Sequence, residues 1–198
     1  MIKFNHISQE TPYLILQEKY NEAVDAGQKS IEAISISSYN TQLNEVNSRY
    51  VNLKFIMNDE FIFFSNYNSP KATCFNSHNQ IAALLYWPST NIQIRMKAKI
   101  KKTTIEFNQK YFFGRSKEKN ALAISSNQSK KIDSFNKVKE NFNKSLLNNN
   151  LKKCPGHWGG YSFTPYEIEF WQGNDFRLNI RNFYKKDGDT WNHFILEP

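Results

Sequence analysis

The chain has 198 residues and a formal net charge of +8, from 26 Lys and Arg against 18 Asp and Glu. That length suits one domain with a sizeable core, and an aromatic content of 15% suits a β-rich one. No apolar run approaches the roughly 20 residues of a membrane span, and two distant cysteines, Cys74 and Cys154, exclude a disulfide framework and a cysteine metal site.

Residues 1–11 are expected to be a flexible N-terminal segment of a single domain spanning 1–198. They lack the long apolar stretch of a signal peptide, so the expected compartment is the cytoplasm. Thr11-Pro12 starts a helix, with Tyr13, Leu16, Tyr20, Ala23 and Val24 at helical spacing and Gly27 as its end. Ile31 to Ile36 reads as a strand, and the polar stretch from Ser37 to Asn47 as a linker. Arg49 to Ile56 alternates, with Val51, Leu53 and Phe55 on one face and Tyr50, Asn52 and Lys54 on the other. Phe61 to Ser65 follows as a strand after the Asn58-Asp59 turn.

Ser69-Pro70 opens a short helix running to about His78. Ile81 to Trp87 is a near-continuous apolar strand, expected to be buried on both faces. Ile92 to Lys101 alternates cleanly, with Ile92, Ile94, Met96, Ala98 and Ile100 facing inward. Thr103-Thr104 opens a helix to about Phe113, and Tyr111 and Arg115 share a helical face if that helix runs on. Residues 131–149 form an amphipathic helix on Ile132, Phe135, Val138, Phe142 and Leu146. Tyr161–Phe163, Glu167–Trp171, Arg177–Tyr184 and Trp191–Leu196 close the fold as strands, and Asp187-Gly188 marks a hairpin between the last two. Strands joined by hairpins with helices between them imply a mainly β fold of the α+β kind, an antiparallel barrel with peripheral helices.

The positive balance points to an anionic partner. The lysines are spread rather than grouped, which argues against nucleic acid and for a small phosphorylated ligand. No glycine occurs between Gly27 and Gly114, so the first half holds no glycine-rich dinucleotide or phosphate loop. The four histidines are scattered, so no metal site is expected. A phosphate here has to be held by side chains and by a helix start. Read alone, Ser129 just before the 131–149 helix is a capping serine, and Lys71 on the first turn after Ser69-Pro70 is a surface lysine. Read alone, Tyr111 is a packed aromatic. Read as a strand, Arg177, Asn179 and Arg181 share one face, and Phe176, Leu178 and Ile180 point to the core.

Three motifs then stand out together: Trp158-Gly159-Gly160-Tyr161, Ile168-Glu169-Phe170-Trp171-Gln172-Gly173, and the closing Trp191 to Pro198. In this order they resemble the pyridoxamine 5′-phosphate oxidases, FMN enzymes of the split-barrel fold, and the resemblance runs from about Pro12 to Pro198. It implies a homodimer whose FMN site is built from both subunits. It implies FMN contacts from Arg49, Lys54, Phe64, Ser65, Lys71, Gln93, Gln128 and Ser129, with Trp171 and Arg181 supplied by the second subunit; the free N–H groups and dipole of a helix start would suit Ser129 and Lys71 to an anion. Lys54, Tyr111, Arg115 and Lys119 would hold the substrate phosphate, Tyr111 with Arg115 offering it a hydroxyl and a fork, and Arg177 and Asn179 would act over the substrate ring. The implied activity is oxidation of pyridoxamine or pyridoxine 5′-phosphate to pyridoxal 5′-phosphate, with O2 reduced to H2O2.

The chain departs from the family pattern at several places, among them Asn52, which replaces an apolar residue. Asn179 replaces a histidine, Pro70 replaces an arginine, and Lys119 stands where the family has a serine. These leave open a family oxidase acting on another aromatic or reduced heterocycle, and a non-catalytic flavin- or pyridoxal-phosphate-binding protein.

Overall fold

Six strands close into a ring. A computed structural model describes residues 1–198. Its strands are β1 (Lys3–Asn5), β2 (Ala33–Asn40), β3 (Glu45–Met57), β4 (Glu60–Asn66), β5 (Gln80–Trp87), β6 (Ile92–Lys102), β7 (Trp158–Gln172), β8 (Ile180–Asp187) and β9 (Thr190–Ile195). The helices are α1 (Thr11–Asp25), α2 (Pro70–Ser77), α3 (Ile105–Phe113), α4 (Lys117–Ser125) and α5 (Phe135–Asn148). The pairings β3–β2–β5–β6–β7–β4 return to β3, and all are antiparallel. The expected antiparallel barrel is therefore present and closed, which leaves the ring itself no open edge. β8 and β9 extend the sheet outward from the second half of β7. No helix is long and apolar enough to cross a membrane.

Side-chain alternation fills the barrel. Ile92, Ile94, Met96, Ala98 and Ile100 of β6 point inward as expected, together with Ile81, Ala83, Leu85 and Trp87 of β5. Phe61 stacks on Phe163 with ring centroids 5.1 Å apart. α1 covers the barrel with Tyr13, Leu16, Tyr20 and Ala23.

β7 is one strand where the sequence suggests two. Its members of the main hydrophobic core are Tyr161 and Phe163 in the first half, then Ile168 and Phe170 in the second. The switch from odd to even positions comes from a bulge: Ala98 pairs with Pro165 and Lys97 with Glu167, leaving Tyr166 as the extra residue. Pro165 sits at this irregularity, where the loss of an N–H is tolerated. A second bulge in β3, between Leu53 and Phe55, isolates Lys54 and moves the buried position from Leu53 to Ile56 rather than to Phe55.

Other expectations need correction. The proposed linker 37–47 is a hairpin, β2 pairing β3 from Ala33↔Asn52 to Asn40↔Glu45, with Asn44 in the left-handed region at φ 54°. β5 is buried on one face only, since Ala82, Leu84 and Tyr86 point outward and are exposed within the chain. The N-terminal segment expected to be flexible carries β1, which pairs parallel with β3. β8 begins at Ile180, not Arg177. Residues 175–177 form a 3-10 turn in which Phe176 and Arg177 take φ 55° and 62°. Phe176, Leu178 and Ile180 are therefore exposed, not in the core.

Candidate functional site

A cleft of about 920 Å³ lies beside the barrel between β3, β4, α2, α3, α4 and the start of β7. Five cationic side chains line it, Arg49, Lys54, Lys71, Arg115 and Lys119, and no Asp or Glu does. Phe64, Ser65, Tyr111, Gln128 and Ser129 line it as well. Ten of the residues singled out in the sequence thus converge from elements far apart along the chain.

At one end, Lys71 is 7% exposed and donates from Nζ to Ser65 Oγ at 3.0 Å and Ser69 Oγ at 3.2 Å. Both partners are neutral. Burial, helped by the nearby Arg49 charge, lowers its pKa to about 8. Arg49 donates from Nη1 to Ile36 O at 3.1 Å and Ser38 Oγ at 2.7 Å, and burial lowers its pKa too. Two cations held close with no acidic partner are unfavourable unless an anion joins them. The turn after α4 brings Gln128 and Ser129 to this cleft. Asn66 anchors that turn by donating from Nδ2 to Ser126 O at 3.0 Å. Ser129 does not cap a helix: α5 starts at Phe135, capped by Ser134, so the helix-dipole argument for Ser129 fails.

Near the other end, Phe64, Tyr111 and Trp158 form an aromatic stack. Phe64 and Tyr111 lie 3.8 Å apart between centroids, and Phe64 and Trp158 5.1 Å, all nearly parallel. Arg115 lies over Trp158 at 4.3 Å and donates from Nη2 to Lys119 O at 3.2 Å. Its Nη1 is buried without a partner. α3 ends at Phe113, so Arg115 belongs to the turn between α3 and α4 and not to the helix of Tyr111, yet both line the cleft. Burial lowers the Lys54 pKa; Glu32 opposes that shift, while Lys119 and Arg115 add to it. The bulge in β3 is what aims Lys54 here.

The two motif glycines explain how α3 is held. Gly160 N donates to Asn108 Oδ1 at 2.7 Å, Tyr67 OH donates to Gly160 O at 2.9 Å, and Asn108 Nδ2 donates to Tyr67 OH at 3.1 Å. A Cβ at Gly159 would meet Tyr67 and Asn108, and one at Gly160 would meet Thr103. Close approach of α3 to β7 therefore requires glycine at both. Asn66, Tyr67, Asn108 and Trp158 escape a reading by spacing, because they act through contacts to residues distant in the chain. Only the Trp158-Gly159-Gly160-Tyr161 motif hints at that contact.

The remaining residues gather elsewhere. Gln93, Trp171 and Arg181 face one another across β6, β7 and β8 by direct pairing. They do not line the cleft of their own chain. Arg177 and Asn179 lie on the 174–179 loop before β8, also outside it, and Asn179 Oδ1 accepts from Asn174 N at 3.2 Å. No cluster of His, Cys, Asp and Glu able to hold a metal ion is present.

The cleft fits an elongated anion with a flat apolar part. It offers the Lys71 ammonium bonded only to hydroxyls at one end and, at the other, an aromatic stack beside the Arg115 guanidinium. A flavin mononucleotide has both features.

The family model for the pyridoxine 5′-phosphate oxidase C-terminal dimerisation region matches residues 158–198. The chain is 32% identical over 190 residues to a pyridoxine/pyridoxamine 5′-phosphate oxidase of Leptospira interrogans, covering 94% of this chain and 88% of the relative. It is 33% identical to one from Colwellia psychrerythraea, covering 96% and 88%. Among solved structures it is similar to PhzG from Burkholderia lata in complex with tetrahydrophenazine-1-carboxylic acid, with TM-score 0.89, 26% identity, and 96% and 93% of the two chains covered. It also shares its fold with a pyridoxamine 5′-phosphate oxidase-related, FMN-binding protein of Nostoc punctiforme, with TM-score 0.79, 11% identity, and 96% and 99% covered.

Proposed function

The chain belongs to the pyridoxine/pyridoxamine 5′-phosphate oxidase family, and from that membership we propose that it is an FMN-dependent oxidase converting pyridoxamine or pyridoxine 5′-phosphate to pyridoxal 5′-phosphate, with O2 reduced to H2O2. The observation that carries this reading is the cleft with five cations, no carboxylate and an aromatic stack.

In this reading Arg49, Lys71, Ser65, Gln128 and Ser129 hold the FMN phosphate. Phe64 would lie against the flavin, and Gln93, outside its own chain's cleft, would reach the ring of flavin held by a second copy. Trp171 and Arg181 complete the site from a second copy. The matched dimerisation region supports a homodimer, as does the location of Gln93, Trp171 and Arg181 on a face outside the chain's own cleft. When bound, FMN would supply a hydride acceptor that O2 can reoxidise.

The chain's own residues do the positioning. Lys54, Tyr111, Arg115 and Lys119 grip the substrate phosphate, and that grip orients the reacting carbon. Arg177 and Asn179 lie outside their own chain's cleft, so they would act on substrate held by a second copy, with Arg177 over the ring. Asn179 hydrogen-bonds the ring's phenolic oxygen and, unlike the family's histidine, cannot take up a proton.

A second reading keeps the oxidase and changes the substrate to a reduced aromatic heterocycle bearing a carboxylate. The neutral Asn179 and the likeness to the PhzG complex favour it.

The test is a visible spectrum of the purified protein, then an assay of peroxide release under air with pyridoxamine 5′-phosphate. A yellow protein that releases peroxide supports the first reading. A yellow protein inactive on that substrate but active on a reduced aromatic carboxylate supports the second. Tight FMN binding with no oxidation of either would identify a non-catalytic flavoprotein.

A further inference from the structure

On the outer face of β6, β7 and β8 the carboxylate of Glu169 lies between two arginines. Its Oε1 accepts from Arg181 Nε at 2.8 Å and from Arg95 Nη1 at 3.3 Å, and its Oε2 lies 3.2 Å from the same Arg95 nitrogen. The Glu169 side chain is 9% exposed and that of Arg181 23%. A carboxylate withdrawn from water needs one cation to neutralise it. Arg95 already supplies that charge, so the bond to Arg181 has another use.

Arg181 is tied twice. Besides its Nε bond to Glu169, its Nη1 donates to Glu197 O at 2.8 Å. A guanidinium has five N–H donors, and its Nη2 edge has no hydrogen-bond partner within the chain. The long side chain is thus fixed with one edge free, directly across from Trp171. Fixing a flexible arginine beforehand removes most of the entropy lost when it meets a ligand.

We propose that Glu169 is a positioning residue that orients Arg181, so that the free guanidinium edge is presented to flavin held in the cleft of a second copy. This rests on the proposal that Arg181 completes a flavin site. One row further along the same strands, Glu167 lies between Lys97 at 2.9 Å and Lys185 at 3.7 Å. That triad has the same charges, but neither Trp171 nor Arg181 belongs to it, and it serves as an internal control.

The test is titration of FMN into the FMN-stripped, full-length protein, read by quenching of flavin fluorescence. The variants are Glu169→Gln, Arg181→Gln, the double variant and Glu167→Gln. Glu169→Gln is expected to weaken FMN binding about tenfold, the size of one lost charge-assisted hydrogen bond. Arg181→Gln should weaken it at least as much, and the double variant no more than Arg181→Gln alone. Glu167→Gln should bind like the parent. Unchanged affinity in Glu169→Gln beside a loss in Arg181→Gln would overturn the positioning role alone. Additive losses, or an equal loss in Glu167→Gln, would overturn it as well. Unchanged affinity in Arg181→Gln would overturn the flavin role of Arg181 and the inference with it. If Glu169→Gln does not fold, Glu169→Asp keeps the charge and retracts the carboxylate. It should show a smaller loss, absent in the Arg181→Gln background, and parental affinity in Glu169→Asp would again overturn the role.

Discussion

The phenol ring of Tyr111 lies flat on Phe64, with centroids 3.8 Å apart and planes 11° from parallel. The contact joins α3 to β4 and leaves the Tyr111 hydroxyl as the polar end of an otherwise apolar stack. Tyr111→Phe should keep the stack and its stability while raising KM for a phosphorylated substrate, leaving FMN affinity unchanged. Tyr111→Ala should also lower stability, by about 1 kcal/mol from the lost aromatic pair alone. Thermal melts and steady-state kinetics on the two variants separate the roles. A Phe variant with parental KM would remove the hydroxyl from substrate binding.

Lys71 carries a pH prediction. Its pKa falls from the ordinary 10.5 to about 8 in the folded chain without ligand. Between those two values the unfolded chain binds more protons than the folded one, so this group makes stability rise with pH across that window. Below pH 8 the lysine is charged in both states and its burial is fully destabilising. Lys71→Met should abolish the rise, measured by denaturant melts of the FMN-free protein. A bound phosphate favours the charged amine, so FMN affinity should decline as pH passes above 8, and the Met variant should lose that decline.

Gly160 is a packing prediction. A Cβ there would sit 2.5 Å from Thr103 Oγ1 and 3.2 Å from Asn108 Oδ1. Gly160→Ala should destabilise the fold by about 1–3 kcal/mol through overpacking. Because the same contact seats α3, it should also raise KM for the phosphorylated substrate. A variant with the parental melting temperature would mean that α3 can shift freely.

Lys119 tests the substrate end of the cleft. It is exposed on α4, and its charge lowers the Lys54 pKa. Lys119→Ser should raise KM for a phosphorylated substrate about threefold, in keeping with the ~0.2–1 kcal/mol of an exposed charge contact, with kcat unchanged. The difference should shrink at high salt. A KM unchanged at low salt would make Lys119 a solvated bystander.

Much of the barrel was legible because β6 alternates without a fault and α1 repeats at helical spacing. The failures have identifiable causes. The hairpin of β2 and β3 carries Ser and Asn at half-exposed positions, so its outer half lacks the apolar signal of a strand. The bulge at Tyr166 breaks the period of β7 and makes one strand read as two. Helix α4 was missed because Lys117–Ser125 presents no sustained apolar face, although Ala121 and Ala123 are buried. Alternation misled at Phe176 and Leu178, where two successive left-handed residues form a turn that no residue pattern announces.

The site was legible in a different way. Nothing in the spacing of Arg49, Lys71, Arg115 and Gln128 relates them, and the barrel alone makes them neighbours. Their grouping followed from the motifs shared with a family, not from periodicity. The supporting hydrogen bonds of Asn66, Tyr67 and Asn108 needed coordinates, since each joins residues 40 or more positions apart or secures a turn that does.

The single surplus residue in β7 works as a phase shifter. Without Tyr166, the strand's second half would turn over: Ile168 and Phe170 would face water, and Glu167, Glu169 and Trp171 would be driven into the hydrocarbon interior. One amino acid of chain length therefore decides whether the outer end of this sheet is a decorated surface or a broken core.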